Sequence, residues 1–399
     1  MRQTRQRISK DIRAFGLAAV ATASILAMSP FSASLADDTS SAFYEKGVQL
    51  MKRKEFKKAI EAFDMSIGMA ATDARDYMRR GQCFFELGHW SLAIKDFGEA
   101  MNYAEPNDPS PYLCQGIAYV KLGEHVKAVR DFEKAIKIDP NLGDAYAGMG
   151  QAYEAQGEKE AANTSYQQAL KGYNATLKKD PKDVKALVGR ADILHVLGKN
   201  LDALKDYSYA IELEPEYDVA YIHRGSAYSG MDRPEDALKD YDKALEMDPS
   251  NGDLLKKRGR AYFVLKNAKQ ALEDFTAAIK QDNTNPDLYY HRAKAYMQLG
   301  DDGQAMANLE DAIRINPNQA NFYLARAFLW HKEGKSILAR EDIKRAQFFD
   351  PSLPKDIRFA TDPKNPDRWY EETFLTDKNK TGDKDTSEKL ENFTSLGGD

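Results

Sequence analysis

The sequence predicts an all-α protein, a solenoid of about nine helical hairpins, and three observations predict it. The stretch LKDYDKALEMDP at 238–249 has near-copies at 129–140 and 204–215. Small residues recur at Gly47, Gly81, Gly116, Gly150, Ala191, Gly225, Gly259, Ala293 and Ala327, 34 or 35 residues apart except for one interval of 41. Around each of them apolar positions return every three or four residues in two runs, the period of helices with one buried face. With 42% apolar and 30% charged residues, the 399-residue chain suits a soluble protein with a thin, distributed core.

The elements follow in order. Arg2, Arg5, Arg7, Lys10 and Arg13 precede an apolar run at 14–31, and Ser34 and Ala36 flank a cut before Asp37, so 1–36 reads as a secretory signal peptide. The alternative is an uncleaved anchor, although the run is near the lower length limit for a span and carries Pro30. The expectation is export to the periplasm of a bacterium with two membranes, or retention in the inner membrane facing the periplasm. Cleavage removes those five basic residues and Asp11, so net charge falls from -5 to -9 and general nucleic-acid binding is excluded. No membrane span is expected after cleavage. Cys83 and Cys114 are too few for a disulfide framework; one bridge and two buried thiols both stay open.

Nine units follow at 40–73, 74–107, 109–142, 143–176, 184–217, 218–251, 252–285, 286–319 and 320–353. In each, a polar turn divides the two helices, and in six it contains Gly: Gly88, Gly123, Gly157, Gly198, Gly300 or Gly334. In the sixth unit, Asp232 is expected as N-cap with Pro234 in the first turn. Pro140, Pro215, Pro249, Pro317 and Pro351 stop second helices, because proline lacks the amide hydrogen and clashes with the preceding turn. The interval of 41 predicts a second helix lengthened by two turns in unit four, since Ala162, Tyr166, Ala169 or Leu170, Tyr173 and Leu177 continue its stripe; a step in the solenoid is expected there. Phe359, Trp369, Tyr370, Phe374 and Leu375 predict a C-terminal cap over 354–376. The charged, small-residue composition of 377–399 predicts a disordered tail.

Tyr112, Gly116, Tyr119, Gly123, Ala128, Phe132, Ala135 and Pro140 are one copy of a pattern that resembles the tetratricopeptide repeat. The resemblance covers 40–353 and implies a right-handed α-solenoid in which each hairpin buries its faces on the next. It also implies a concave groove lined by the first helices and a non-catalytic role in protein binding.

Arginines at the seventh position of six units (Arg80, Arg190, Arg224, Arg258, Arg292 and Arg326) accompany Asp96, Asp206, Asp240, Asp274 and Asp342 at position 23 in five of them. They read as structural ion pairs between the two helices of one hairpin. The six histidines form no HExxH and no i, i+4 pair, and no GxSxG occurs, so neither an enzyme nor a cofactor is expected. The rival, a metal-dependent enzyme component, rests on His195 with Asp192. Asp377, Asn379, Thr381, Asp385 and Glu388 partly resemble an EF-hand calcium loop, but Lys378, Lys380 and Lys384 offset its charge.

Mapped through the resemblance, the groove of units one to three presents Tyr44, Val48, Met51, Met78, Gln82, Phe85, Leu113, Ile117 and Val120, with Glu86 and Lys121 among them. This is an apolar slot for an extended peptide or partner helix. Units seven to nine present a basic, aromatic patch of Lys256, Arg260, Phe263, Tyr290, Lys294, Met297, His331 and Lys332, suited to acidic peptides. The asparagines of the family's carboxylate clamp for chaperone tails are missing. Lys257, Arg260, His291 and Lys294 stand in their region, which disfavours chaperone docking. The expected role is a protein-interaction scaffold in cell-envelope assembly, with a self-associating envelope protein as the alternative.

Overall fold

The structure is a computed structural model that describes residues 30–354 and 357. Among these residues eighteen helices follow one another in nine consecutive pairs, and no strand occurs. The first four pairs are α1 (Pro30–Lys52) with α2 (Phe56–Met69), α3 (Ala74–Glu86) with α4 (Trp90–Ala100), α5 (Ser110–Lys121) with α6 (His125–Ile138), and α7 (Gly143–Ala155) with α8 (Lys159–Lys179). The next are α9 (Val184–Val196) with α10 (Asn200–Leu213), α11 (Asp218–Gly230) with α12 (Pro234–Met247), and α13 (Gly252–Val264) with α14 (Ala268–Gln281). The last two are α15 (Pro286–Leu299) with α16 (Asp302–Ile315) and α17 (Ala320–Lys332) with α18 (Ser336–Phe349). The chain divides into two compact units, one up to Ala169 and one from Leu170, and the division falls within α8.

Turn chemistry sets the hairpins. Gly88, Gly123, Gly157, Gly198, Gly300 and Gly334 all lie in the left-handed region, with φ between +73 and +80°. The three hairpins without Gly put Lys54, Asp232 and Lys266 there instead, at φ 57, 60 and 63°. Asp232 is therefore not the N-cap of α12. Arg233 takes that place without a side-chain cap, and Pro234 opens the helix as expected. The same turn is needed in every hairpin, and Asp232 falls on its left-handed position. Helices α6, α10, α12, α16 and α18 each end two residues before one of the predicted proline stops.

Small residues receive rings. A Cβ on Gly116 would lie 2.6 Å from the ring of Phe132, and one on Gly148, in the next hairpin, 2.3 Å from the same ring. Phe132 thus fills a space bounded by two first helices and is fully buried; burying a side chain of this size stabilises by about 1.5–3 kcal/mol. In α8 these two tasks are divided. Tyr166 packs on Gly150, and Tyr173, two turns later, packs on Gly189. The predicted lengthening is present, since α8 has 21 residues where most second helices have 14.

The arginines form forks. Arg80, Arg190, Arg224, Arg258 and Arg326 each donate through Nε and Nη2 to both carboxylate oxygens of Asp96, Asp206, Asp240, Asp274 and Asp342, at 2.7–2.9 Å. Arg292 donates to Asn308 at 2.7 Å. A second arm runs the other way. Nη1 reaches the residue sixteen earlier, on the preceding hairpin: Asp64 from Arg80, Asn174 from Arg190, Ser208 from Arg224, Asp242 from Arg258 and Thr276 from Arg292. The expected pairing within a hairpin is present, and the same guanidinium also fastens that hairpin to its predecessor.

Helix α1 begins at Pro30, ahead of the first predicted unit, and most of the predicted signal segment lies outside the described residues. So do the tail and most of the predicted cap. Ile357, from the cap segment, packs with Leu353 on the cluster of Tyr323, Leu324 and Ala346. No helix among the described residues is long and apolar enough to cross a membrane.

Candidate functional site: the faces of the first helices

First helices of successive hairpins touch one another, α1 with α3, α5 with α7, α9 with α11, α11 with α13 and α13 with α15. Their side chains build the candidate faces, taken separately in the two compact units.

In the first unit, Tyr44, Val48 and Met51 on α1 are half-buried and pack around Ala59, Phe63 and Cys83. Tyr44 lies 5.9 Å from the Phe63 ring, and the Arg75 guanidinium sits 5.1 Å over Tyr44. Met78, Leu113 and Val120 are also half-buried, whereas Phe85 and Ile117 are buried in the core cluster. The predicted slot is thus partly core: Phe85 and Ile117 reach their neighbours, while the others keep an edge toward solvent. Gln82 accepts from Arg79 at 3.2 Å. Glu86 is exposed, yet burial raises its carboxyl pKa, against the lowering effects of Lys54 and Lys121.

In the second unit, Tyr290 and Met297 are buried, and Lys256, Arg260, Phe263, Lys294 and His331 are half-buried. The Lys294 ammonium lies 4.9 Å from the centroid of Phe263 and 5.5 Å from that of Tyr290. Burial, followed by the charge of Arg260, brings its pKa down to about 7. His291 stacks on Phe275 at 5.7 Å and tilts against Tyr290 at 5.5 Å. Burial, then Arg260, Lys294 and Lys256, hold its pKa well below the ordinary imidazole value. His291 was read from the sequence as one of six histidines and as standing in the region of the missing clamp asparagines, and its place here depends on which helices touch. Lys256 has Asp253 at 3.4 Å, and the exposed Lys332 is tied to Asp302 at 2.6 Å.

The pairing of His195 with Asp192 does not form. His195 Nδ1 contacts Asn200 at 2.8 Å, and Asp192 instead accepts from the Tyr207 hydroxyl and meets His223 Nδ1 at 2.9 Å with both oxygens. All of these except Asn200 are buried, so the group braces the junction of two hairpins. No set of three His, Cys, Asp or Glu among the described residues is placed to hold a metal ion, and the calcium-loop residues lie outside them. In a cleft of about 350 Å³ beside Arg190, Arg190 pairs with Asp206 and Lys205 with Asp202. Cys83 and Cys114 are free, buried thiols, both pushed up to about 12 by burial.

Comparison with known proteins gives the same architecture. A model described as the TPR repeat matches 116–157, 259–300 and 293–334, and models described as the tetratricopeptide repeat match 149–218 and 219–251. The chain is 28% identical over 140 residues to Hsp70-Hsp90 organizing protein 3 of Arabidopsis thaliana, covering 35% of this chain and 24% of that protein. It is 25% identical over 167 residues to DnaJ homolog subfamily C member 3 of Gallus gallus, covering 40% of this chain and 33% of that protein. It therefore spans about a quarter to a third of the length of these relatives. Among solved structures it is similar to the APC/C hetero-tetramer Cut9-Hcn1, with TM-score 0.52 and 18% identity over 75% of this chain and 54% of that one, a likeness of fold alone.

Proposed function

This chain belongs to the tetratricopeptide-repeat family, and from that premise we propose that it is a non-catalytic scaffold holding a segment of a partner protein along its first helices. The observation that carries the reading is the set of half-buried apolar side chains Met78, Leu113 and Val120 on successive first helices. They pack on the core cluster yet keep an edge toward solvent, and the exposed Glu86, with Lys54 and Lys121 acting on it, supplies charge beside them. Apolar edges next to a charged rim are what an extended peptide or amphipathic helix fits. An organizing protein of Hsp70 and Hsp90 among the relatives supports a scaffold role.

The test is a photoreactive residue at Met78, compared with one at Lys95, exposed on α4. Crosslinks confined to Met78, followed by loss of the purified partner's affinity in Leu113→Asp with melting unchanged, support the reading. Equal crosslinking from both positions counts against it. Phe85 is unsuited to this test, because truncating a buried ring destabilises the hairpin itself.

Export and a place in envelope assembly are part of the same proposal and rest on the basic, apolar and small-residue sequence of 1–36. Fractionation of cells producing the full chain checks them, and chain found only in the cytosol rejects them. Self-association through the same face is the competing outcome, visible as concentration-dependent light scattering.

A further inference from the structure

Asp76, in the first turn of α3 three residues after its N-cap Asp73, is buried at 1% exposure, and its Oδ1 has no hydrogen-bond partner among the described residues. The carboxyl is hydrogen-bonded to the Ser66 hydroxyl on α2. Ser66 is tied in turn to α1. Its Oγ donates to the Ser40 carbonyl at 2.9 Å, the two hydroxyls lie 3.0 Å apart, and Ser40 Oγ donates to the Ser66 carbonyl at 3.3 Å. Ser40 and Ser66 are buried as well. A hydroxyl has one proton to donate, so Ser66 cannot serve the Asp76 carboxylate and the Ser40 carbonyl at once. A protonated Asp76 removes the conflict, because it donates to Ser66 instead of accepting from it.

We propose that this cluster is a proton-dependent clasp on the first helix. With a proton on Asp76, the Ser66 hydroxyl holds the Ser40 carbonyl and seats α1 on α2; without it, the carboxylate takes that hydroxyl and α1 loosens. What lies beneath α1 is apolar. Tyr44, Val48 and Met51 pack there on Ala59, Phe63 and Cys83, so loosening uncovers a face that is closed when the clasp is shut. The device concerns how firmly α1 sits and does not depend on what the first helices bind.

Burial is the first cause that brings the Asp76 pKa up to about 6, against the Ser66 hydrogen bond; Asp73 adds to it, and Arg75 and Arg80 oppose it. Those arginines are engaged elsewhere. Arg75 pairs with Asp73 at 2.7 Å and lies over the Tyr44 ring of α1, and Arg80 pairs with Asp96 of α4 and with Asp64 of α2. Between the usual 3.8 and about 6, the seated form keeps a proton that the loosened form has lost. The tie therefore weakens as pH rises across that window, and the loss is complete above about 6.

Cys83, fully buried beneath α1, reports the clasp, and Cys114, buried in a separate cluster, is the internal reference. The full chain is alkylated with N-ethylmaleimide at pH 5 and at pH 7.5. Mass spectrometry of the digest gives the ratio of modified Cys83 to modified Cys114, in which the common effect of pH on thiol ionisation cancels. The wild-type ratio is expected to be about tenfold higher at pH 7.5 than at pH 5. It is expected to be independent of pH in Asp76→Asn, whose amide stands in for the protonated acid, and already high at pH 5 in Ser66→Ala. A wild-type ratio that stays flat overturns the proposal, as does an equal rise in Asp76→Asn. A Ser66→Ala ratio at pH 5 as low as that of the wild type also overturns it, since burial of Asp76 alone would then drive the change. Circular dichroism confirms that the variants fold, and either of them, with the wild-type series, is enough to overturn the proposal.

Discussion

Arg258 grips Asp274 with Nε and Nη2 at 2.9 and 2.7 Å, joining the two helices of one hairpin, while its Nη1 holds Asp242 on the hairpin before at 2.7 Å. Asp274 is buried at 4% exposure, and its hydrogen bond is the first cause of the raised Arg258 pKa. Asp274→Ala leaves a half-buried guanidinium with only its second arm and is expected to cost about 3 kcal/mol. Arg258→Lys, which keeps the charge but loses the fork, is expected to cost about 1–2 kcal/mol. Asn308→Asp, which restores the fork that Arg292 lacks, is expected to cost nothing. Urea unfolding midpoints of the three variants check the order.

Lys294 predicts a pH effect in the unliganded protein. Its folded pKa of about 7 lies below the usual 10.5, so between those values the unfolded chain binds the extra proton. Stability therefore rises with pH through that window; the destabilisation is complete below about pH 7 and gone above about 10.5. Comparing unfolding midpoints at pH 7.5 and 9.5 for wild type and Lys294→Met isolates the effect, and the variant should lose this part of the slope.

Lys266 holds a left-handed backbone, φ 63°, where six other hairpins use glycine. An L-residue there carries strain of about 1–2 kcal/mol. Lys266→Gly is expected to stabilise by about 1 kcal/mol, less what glycine loses in the flexible unfolded chain. A thermal melt is enough, and a lowered melting temperature contradicts the strain.

His223 and Tyr207 both serve the buried carboxylate of Asp192. His223→Phe removes one partner and should cost about 3 kcal/mol, because an under-satisfied charge stays buried. Partner affinity in the folded fraction is expected to remain unchanged, which separates a brace from a binding residue.

The two cysteines should be silent. Burial pushes both thiols up to about 12, so at pH 8 the thiolate is scarce as well as covered. Ellman's reagent is expected to react slowly with the native chain and promptly with both thiols in denaturant.

Periodicity made the hairpins legible because a helix face repeats every few residues, and the arginine pairs were legible because both partners recur at fixed positions. The second arm was not, because where it occurs its acceptor changes from Asp64 to Asn174 to Ser208 to Thr276, and any oxygen will do. Asp232 misled because the same residue type suits an N-cap and a left-handed turn, and only the backbone decides. The partnership of His223 with Asp192 spans 31 residues and two hairpins, beyond any local pattern. In the candidate slot, helical position placed Phe85 and Ile117 with Met78 and Leu113, but whether a long side chain lies over its neighbour or stands clear is set by packing.

The doubly committed guanidinium bears on how such a chain changes length. A fastener that asks its predecessor only for an oxygen, and brings its own carboxylate, accepts almost any copy inserted before it. Duplicating or deleting a hairpin then needs no matched pair of new contacts, and the margins between copies become the cheapest places for this gene to grow or shrink.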